Sequence, residues 1–204
     1  MHISTNKNAS SSDQMYCAGF LDAYLSSERM YQAYGLFREQ NDAKDGWPSG
    51  WEDWIEKNMN YIDIQTTNPR DDYWKGIKLI VDQFDGMHDA LKQTRPKDGP
   101  EIRRIDWWIY QSGADFIEIS TIVAGKKVID PELTLRCTGM LKFAENYSDI
   151  YFAQNTWSDY RDLHAYLKSY NFSVPEFKTN TLAISTRTGR INSDDDYWQS
   201  SSGL

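Results

Sequence analysis

The chain has 204 residues, with 22 Lys and Arg against 30 Asp and Glu, so its formal net charge is -8. This acidic balance argues against a general affinity for nucleic acid or for anionic membrane surfaces. A mean hydropathy of -0.70 favours a soluble protein. No run of eighteen apolar residues occurs, so no transmembrane segment is expected.

The first half of the chain is predicted to be helical. Apolar residues recur at helical spacing from Met15 to Phe37, and Asp13 can cap this helix by accepting from first-turn amides. The predicted apolar face of this helix consists of Cys17, Phe20, Leu21, Tyr24, Tyr31 and Leu36. On that face, Cys17 is interpreted as a packing residue.

Three further segments extend the helical region. A second helical stripe begins at Trp51. Asn68 and Pro69 are typical of a helix start, and the helix that follows is the best-defined pattern in the chain. Pro100 predicts another start, with helix continuing to residue 109. The β-branched content of residues 115–123 favours a strand.

A hairpin follows the helices. Apolar and polar residues alternate from Cys137 to Phe143, which is typical of a half-buried strand. Residues 146–149 are turn-forming, and residues 150–153 indicate a return strand. The return strand would bring Gln154 to Trp157 back towards Cys137, so that a thiol, an amide and an indole lie close together.

The last quarter of the chain combines a predicted helix, a predicted strand and a polar end. Residues 160–170 suggest one more helical face, residues 182–186 indicate a strand, and Gly189 its turn. Residues 192–204 are polar and are expected to be frayed. His88 and His164 lie on separate predicted helices without partners at metal-ligand spacing, so both are interpreted as structural or surface residues and no metal site is expected.

Two motifs carry a resemblance to a known family. They are Cys137-Thr-Gly-Met-Leu-Lys142 and, after a short turn, Ala153-Gln-Asn-Thr-Trp157. In this order they resemble the phospholipase B-like family, a branch of the N-terminal-nucleophile hydrolases, and the similarity extends from about Met15 to Trp198. Gln154 departs from the pattern, since the family usually has His there, and the family's proteins run for several hundred residues more.

The resemblance implies an α+β fold, in which a helical region precedes the first strands of an αββα sandwich that is incomplete here. The expected organisation is a disordered polar N-terminus at residues 1–14, a propeptide-like helical region at 15–136, the start of the nucleophile domain at 137–198 and a frayed tail at 199–204. The resemblance also favours helix at residues 115–123. Asp194 to Asp196 resemble the family's acidic turn.

The resemblance implies a cysteine hydrolase. Cleavage between Arg136 and Cys137 would free an α-amine beside the thiol, and the uncut chain would be an inactive zymogen. Ordinary pKa values of about 8 and about 8.5 allow that amine to deprotonate the thiol near neutral pH. Trp157 and Gln154 would line the substrate pocket. Acyl esters of phospholipids are the implied substrates, and no cofactor is expected.

Alternatives to this reading remain open. An amidase acting on a small amide or peptide would use the same thiol. A non-enzymatic truncated paralogue would instead self-associate, or associate with the remainder of the fold, through its strand edges. The family implies a lysosomal or secreted location, although the polar N-terminus lacks the apolar core of a signal peptide. Glycosylation sequons occur at Asn8, Asn146 and Asn171.

Overall fold

The computed structural model describes residues 1–125, 137–155, 160, 164–193 and 197–201 of the chain, without the side chains of residues 116 and 117. The predicted α+β class is confirmed. Helices dominate the first 125 residues, and strands dominate from residue 137 onwards. The helices are α1 Ser11–Gln40, α2 Trp51–Thr67, α3 Asp72–Gln93, α4 Arg104–Gln111 and α5 Phe116–Val123. The strands are β1 His2–Ser4, β2 Thr138–Phe143, β3 Ile150–Asn155, β4 Ala165–Asn171, β5 Thr181–Arg187 and β6 Trp198–Ser200.

The helix starts differ from the predicted ones. The N-cap of α1 is Ser10, whose hydroxyl accepts from the backbone amide of Asp13; Asp13 itself lies in the first turn. The N-cap of α3 is Asp71 rather than Asn68, and its carboxylate accepts from the amide of Trp74. In both cases more than one nearby residue can cap the helix. The residue that does so precedes the predicted one in α1 and follows it in α3. Residues 115–123 hold a helix, as the family resemblance favoured.

Helices α1 and α3 pack at very close range because two glycines lie at their crossing. A β-carbon on Gly19 would lie 1.9 Å from the carbonyl oxygen of Gln83, and one on Gly86 would lie 2.0 Å from the carbonyl oxygen of Tyr16. Neither position leaves room for a side chain. The two backbones are therefore in contact, with no side-chain layer between them.

The predicted apolar face of α1 is buried only in part: Tyr31 lies in the core and Phe20 packs against it. Cys17, Leu21 and Tyr24 are exposed, whereas the buried side of the same turns carries Ala18, Gly19 and the carboxylate of Asp22. Small residues are needed on this side of α1 because α3 approaches it closely. The carboxylate is buried there because it pairs with a polar partner from the sheet. The more apolar side of these turns is therefore the exposed one. The prediction that Cys17 packs in the core is wrong.

The main core lies among the helices. Aromatic and aliphatic side chains from α1, α2, α3 and α4 fill it, among them the fully buried Tyr34, Trp51, Ile55, Met87 and Trp107. Burying an aromatic side chain of this size contributes about 2–3 kcal/mol to stability. The helical region therefore has a hydrophobic core of its own.

A four-stranded sheet has the order β1-β4-β5-β6, with β1 parallel to β4 and the other pairs antiparallel. The predicted helix at residues 160–170 is wrong, because residues 165–171 form β4. Two segments expected to lack structure also contribute to this sheet. His2–Ser4 form β1 within the predicted disordered N-terminus, and Gln199 and Ser200 pair with β5 within the predicted tail.

The helices and the sheet share a second, smaller core. Ile3, Met15 and Leu79 come from the first half of the chain, and Tyr170 and Val174 come from the second. The Tyr110 hydroxyl also donates to the Thr188 carbonyl oxygen at 2.5 Å. Residues on either side of position 136 are thus joined by strand pairing, apolar packing and hydrogen bonds.

Candidate active site

The candidate site is built on the hairpin of β2 and β3. The strands pair antiparallel from Thr138 opposite Asn155 to Phe143 opposite Ile150. Both predicted strands are confirmed. The prediction that they are half-buried is wrong, since every residue of both strands is exposed. Alternation gives a half-buried pattern only when another layer covers one face, and no described element packs on either face of this hairpin.

The two faces of the hairpin differ in composition. Directly opposed residues share a face, so Leu141, Phe143, Ile150 and Phe152 lie together on one side. Each of these four side chains is more than half exposed. The opposite face carries Thr138, Met140, Lys142, Tyr151, Ala153 and Asn155. The first face is a continuous apolar surface, called here the hairpin apolar face.

Cys137 lies immediately before β2. It is exposed and has no disulfide partner. Strand alternation places it on the same side as Gly139, which lies opposite Gln154. Side chains related diagonally in this way are separated by about 7–8 Å. Gln154 therefore lies at the cysteine end of the hairpin apolar face, on the side to which strand alternation assigns Cys137.

Asn155 is the last residue of β3 and lies directly opposite Thr138. A second amide is thus held beside the cysteine end of the hairpin, on the opposite face from Gln154. Arg136, Trp157 and Asp194 to Asp196 lie outside the described residues.

The turn of the hairpin is tightly built. Asn146 and Tyr147 both have left-handed backbone angles, with φ of 58° and 55°. Asparagine tolerates this region better than most residues, because its short polar side chain can hydrogen-bond locally. The Tyr147 ring packs edge-on against Phe143, with 5.7 Å between centroids. The register that aligns Gln154 with Gly139 is therefore set by a turn with defined geometry.

A model of the family described as Phospholipase B matches residues 1–204. The chain belongs to the phospholipase B family. It is similar to phospholipase B-like protein B of Dictyostelium discoideum, at 27% identity over 211 residues, covering 96% of this chain and 37% of that protein. Phospholipase B-like protein C of the same organism is 24% identical, covering 99% and 38%. Putative phospholipase B-like 2 of Mus musculus is 25% identical, covering 100% and 37%. The chain thus spans a little over a third of the length of these relatives.

The two histidines considered in the sequence, His88 and His164, have different surroundings. His88 of this phospholipase B family chain is buried, and its Nε2 is 2.9 Å from the carbonyl oxygen of Ile102. Burial lowers its pKa, and the hydrogen bond to Ile102 partly opposes that shift. His164 is exposed just before β4. Across the ranges that the structure describes, no three His, Cys, Asp or Glu residues are grouped to hold a metal.

An apolar groove of about 410 Å³ lies in the helical region. It is lined by Ile80, Val81, Phe84, Trp108, Gln111, Ile191 and Asn192, none of which belongs to the hairpin.

The three sequon asparagines are all exposed. Of the helices described, none has the length and apolarity needed to cross a membrane.

Proposed function

We propose that this chain contributes the nucleophile of a phospholipase B-like hydrolase, and that the nucleophile is Cys137 after cleavage of the Arg136–Cys137 bond. The observation that carries the proposal is the position of Cys137. It is an exposed, unbridged thiol immediately before a strand whose partner strand places Gln154 opposite Gly139, two residues further on. An inert structural cysteine is usually buried, and this one is not.

The proposed cleavage needs no other reactant than water. The Cys137 thiolate attacks the carbonyl carbon of Arg136, the C–N bond breaks, and the acyl group moves from nitrogen to sulfur as a thioester. Water then hydrolyses the thioester and leaves a carboxylate on Arg136. Cys137 gains a free α-amine and recovers its thiol.

The mature residue then supplies both nucleophile and base. The α-amine takes the thiol proton, and the thiolate adds to the carbonyl carbon of an acyl ester. The ammonium returns the proton to the departing alcohol, and water hydrolyses the acyl-enzyme. Gln154 can donate an amide hydrogen bond to the substrate, but it cannot titrate near neutral pH as a histidine would. The α-amine therefore carries the proton transfers in this mechanism. The family resemblance assigns Trp157 to the wall of the pocket.

The substrate class rests on the family. Several relatives are named phospholipase B-like, which supports an acyl ester of a phospholipid. The same thiolate would also attack an amide or peptide carbonyl. A panel with matched ester and amide substrates of one acyl chain separates the two when each kcat/KM is compared with the uncatalysed rate of the same substrate, because an ester is intrinsically more reactive than an amide.

The exposed hairpin favours a second, non-enzymatic role. Leu141 and Phe152 lie opposite one another on the hairpin apolar face, 63% and 64% exposed. Such a face is stabilised by contact with another apolar surface. In this alternative the chain is an interaction module whose hairpin packs against a second copy or against the part of the family fold that its relatives carry beyond the matched region.

A secreted or lysosomal location belongs to the proposal and rests on the family resemblance. The exposure of Asn8, Asn146 and Asn171 is compatible with glycosylation in such a compartment. Asn146 lies in the hairpin turn beside Tyr147, which is 84% exposed. Digestion of the secreted protein with a glycosidase, followed by peptide mass mapping, tests each asparagine.

Intact-mass measurement after acidic incubation tests the enzymatic proposal. We expect two products, residues 1–136 and 137–204. Cys137→Ala should remain whole. Cys17→Ala is the matched control, since Cys17 is the chain's other exposed free cysteine, and it should be cleaved normally. Cleavage that persists in Cys137→Ala would overturn the proposal. A chain that remains whole and ignores both ester and amide substrates would support the interaction module instead.

A further inference from the structure

The four-stranded sheet has a polar outer face. Alternation along β4 buries Tyr170 in the smaller core and leaves Ser169 and Asn171 on the side away from it. The residues of β5 directly opposite these two are Ala183 and Thr181. The outer face therefore carries hydroxyl, amide and methyl groups at this end of the sheet.

A groove of about 360 Å³ crosses this face from β4 to β6. Ser169, Thr181, Ala183 and Gln199 line it, together with Ser201, which follows β6. Its volume lies within the range of about 300–1,000 Å³ that small-ligand sites have. Among the described residues that line it, none is charged. Because hydroxyl and amide side chains both donate and accept hydrogen bonds, this lining suits a neutral ligand rich in hydroxyl groups.

Asn171 lies at one corner of the groove. It is the exposed last residue of β4 and the first residue of the sequon that ends at Ser173. On one side it is directly opposite Thr181, and Ser169 precedes it by two residues on the same face. Directly opposed side chains have β-carbons only about 4.5–5.5 Å apart. A sugar attached to the Asn171 amide would therefore begin beside two residues of the groove lining.

We infer that this groove binds the carbohydrate attached to Asn171, with its first N-acetylglucosamine units lying across β5 towards Gln199. The hydroxyl and N-acetyl groups of these units bond to the hydroxyls of Thr181 and Ser201 and to the amide of Gln199. The inference rests on the secreted or lysosomal location in the proposed function, because the glycan is attached only in such a pathway.

Gln199 is placed to bind the sugar by donation. Its Oε1 accepts from the Tyr197 hydroxyl at 2.8 Å, so the Nε2 group is the end of the amide that can donate to a ligand. Ala183 lies directly opposite Gln199 on the same face and provides a small apolar surface beside it. The groove thus offers both the polar and the apolar contacts that an N-acetylated sugar can make.

Protein secreted from eukaryotic cells, with its glycans mapped by peptide mass spectrometry, tests the inference. In native buffer we expect an endoglycosidase to release the Asn171 glycan more slowly than the glycan of Asn146 in the hairpin turn. The two rates should become equal after denaturation. Gln199→Ala keeps the Asn171 glycan but removes one of its ligands, and should speed its release.

Thermal unfolding provides a second measurement. Asn171→Gln should lower the midpoint of the secreted protein by about 2–4 °C, the loss expected for roughly one net hydrogen bond in a chain of this size. The same substitution in protein made in bacteria, which carries no glycan, should leave the midpoint unchanged. Asn8→Gln removes a different glycan and is the matched control in secreted protein, where it should also leave the midpoint unchanged.

Equal release from Asn171 and Asn146 in native buffer would overturn the inference while leaving the proposed location intact. So would a fall in midpoint for Asn171→Gln that is the same with and without the glycan. An unoccupied Asn171 in protein whose Asn8 and Asn146 carry glycans would also overturn it. Absence of a glycan from all three asparagines would contradict the proposed location, and this inference with it.

Discussion

The Nζ atom of Lys168 lies 2.6 Å from Oδ2 of Asp22, and both side chains are fully buried. Tyr166 and Tyr170 donate to the same carboxylate, each at 3.0 Å. Residues 166, 168 and 170 alternate along β4, so one face of the strand converges on a single carboxylate of α1. This network links the helical region to the sheet through the centre of the molecule.

Removing one member of the buried pair should strongly destabilise the fold. Lys168→Met leaves the Asp22 carboxylate without its counter-ion, and breaking a buried ion pair typically costs about 3–5 kcal/mol. The double variant Asp22→Asn with Lys168→Met leaves no unpaired charge and should recover part of that loss. Denaturant unfolding monitored by tryptophan fluorescence measures both. Losses that simply add in the double variant would contradict the coupling.

The glycine at the helix crossing should not tolerate a methyl group. Gly19→Ala would force α1 and α3 apart, and overpacking of this kind costs about 1–3 kcal/mol or more. Gly35→Ala in the same helix is the matched control, because no heavy atom lies within 4 Å of its added β-carbon. Replacing glycine by alanine in a helix interior stabilises by about 0.5–1 kcal/mol. The two variants should therefore shift the free energy of unfolding in opposite directions.

Cleavage before Cys137 should not release the helical region. β1 pairs with β4, and the Asp22–Lys168 pair joins the same two parts of the chain. A specific protease site introduced within residues 126–136 provides cleavage that is independent of the cysteine chemistry. After digestion we expect one peak in size-exclusion chromatography and two chains in denaturing electrophoresis. Separate elution in native buffer would show that the helical region behaves as a dissociable propeptide.

His88 should contribute to the loss of stability in acid. Burial lowers the pKa of His88 in the folded state, so the unfolded chain binds the proton more readily. Its stabilising contribution is complete above the unfolded value of about 6.5 and is lost as the pH falls through the folded pKa. His88→Gln should flatten this part of the midpoint-versus-pH curve. A curve for His88→Gln that is as steep in this pH range as that of the unaltered protein would contradict the assignment.

Local patterns were sufficient for much of the architecture. The periodicity of residues 72–91 predicts α3, the alternation of residues 137–143 predicts β2, and the apolar run at residues 150–153 after a polar turn predicts β3. The proximity of Gln154 to Cys137 follows from the same pattern, because a hairpin turn brings neighbouring segments together. These elements depend on contacts between residues close in sequence. Their sequence patterns can therefore be recognised without knowing which other element packs against them.

What the sequence by itself determined is therefore the α+β class, the principal helices, the hairpin and its cysteine. Only the tertiary structure decided that β1 pairs with β4 across more than 160 residues, that residues 165–171 form a strand, and that α1 buries Asp22 rather than Leu21. A carboxylate is stable in a core only when its counter-ion is brought to it. That counter-ion, Lys168, lies 146 residues away in the sequence, and no pattern within α1 predicts that it packs against Asp22.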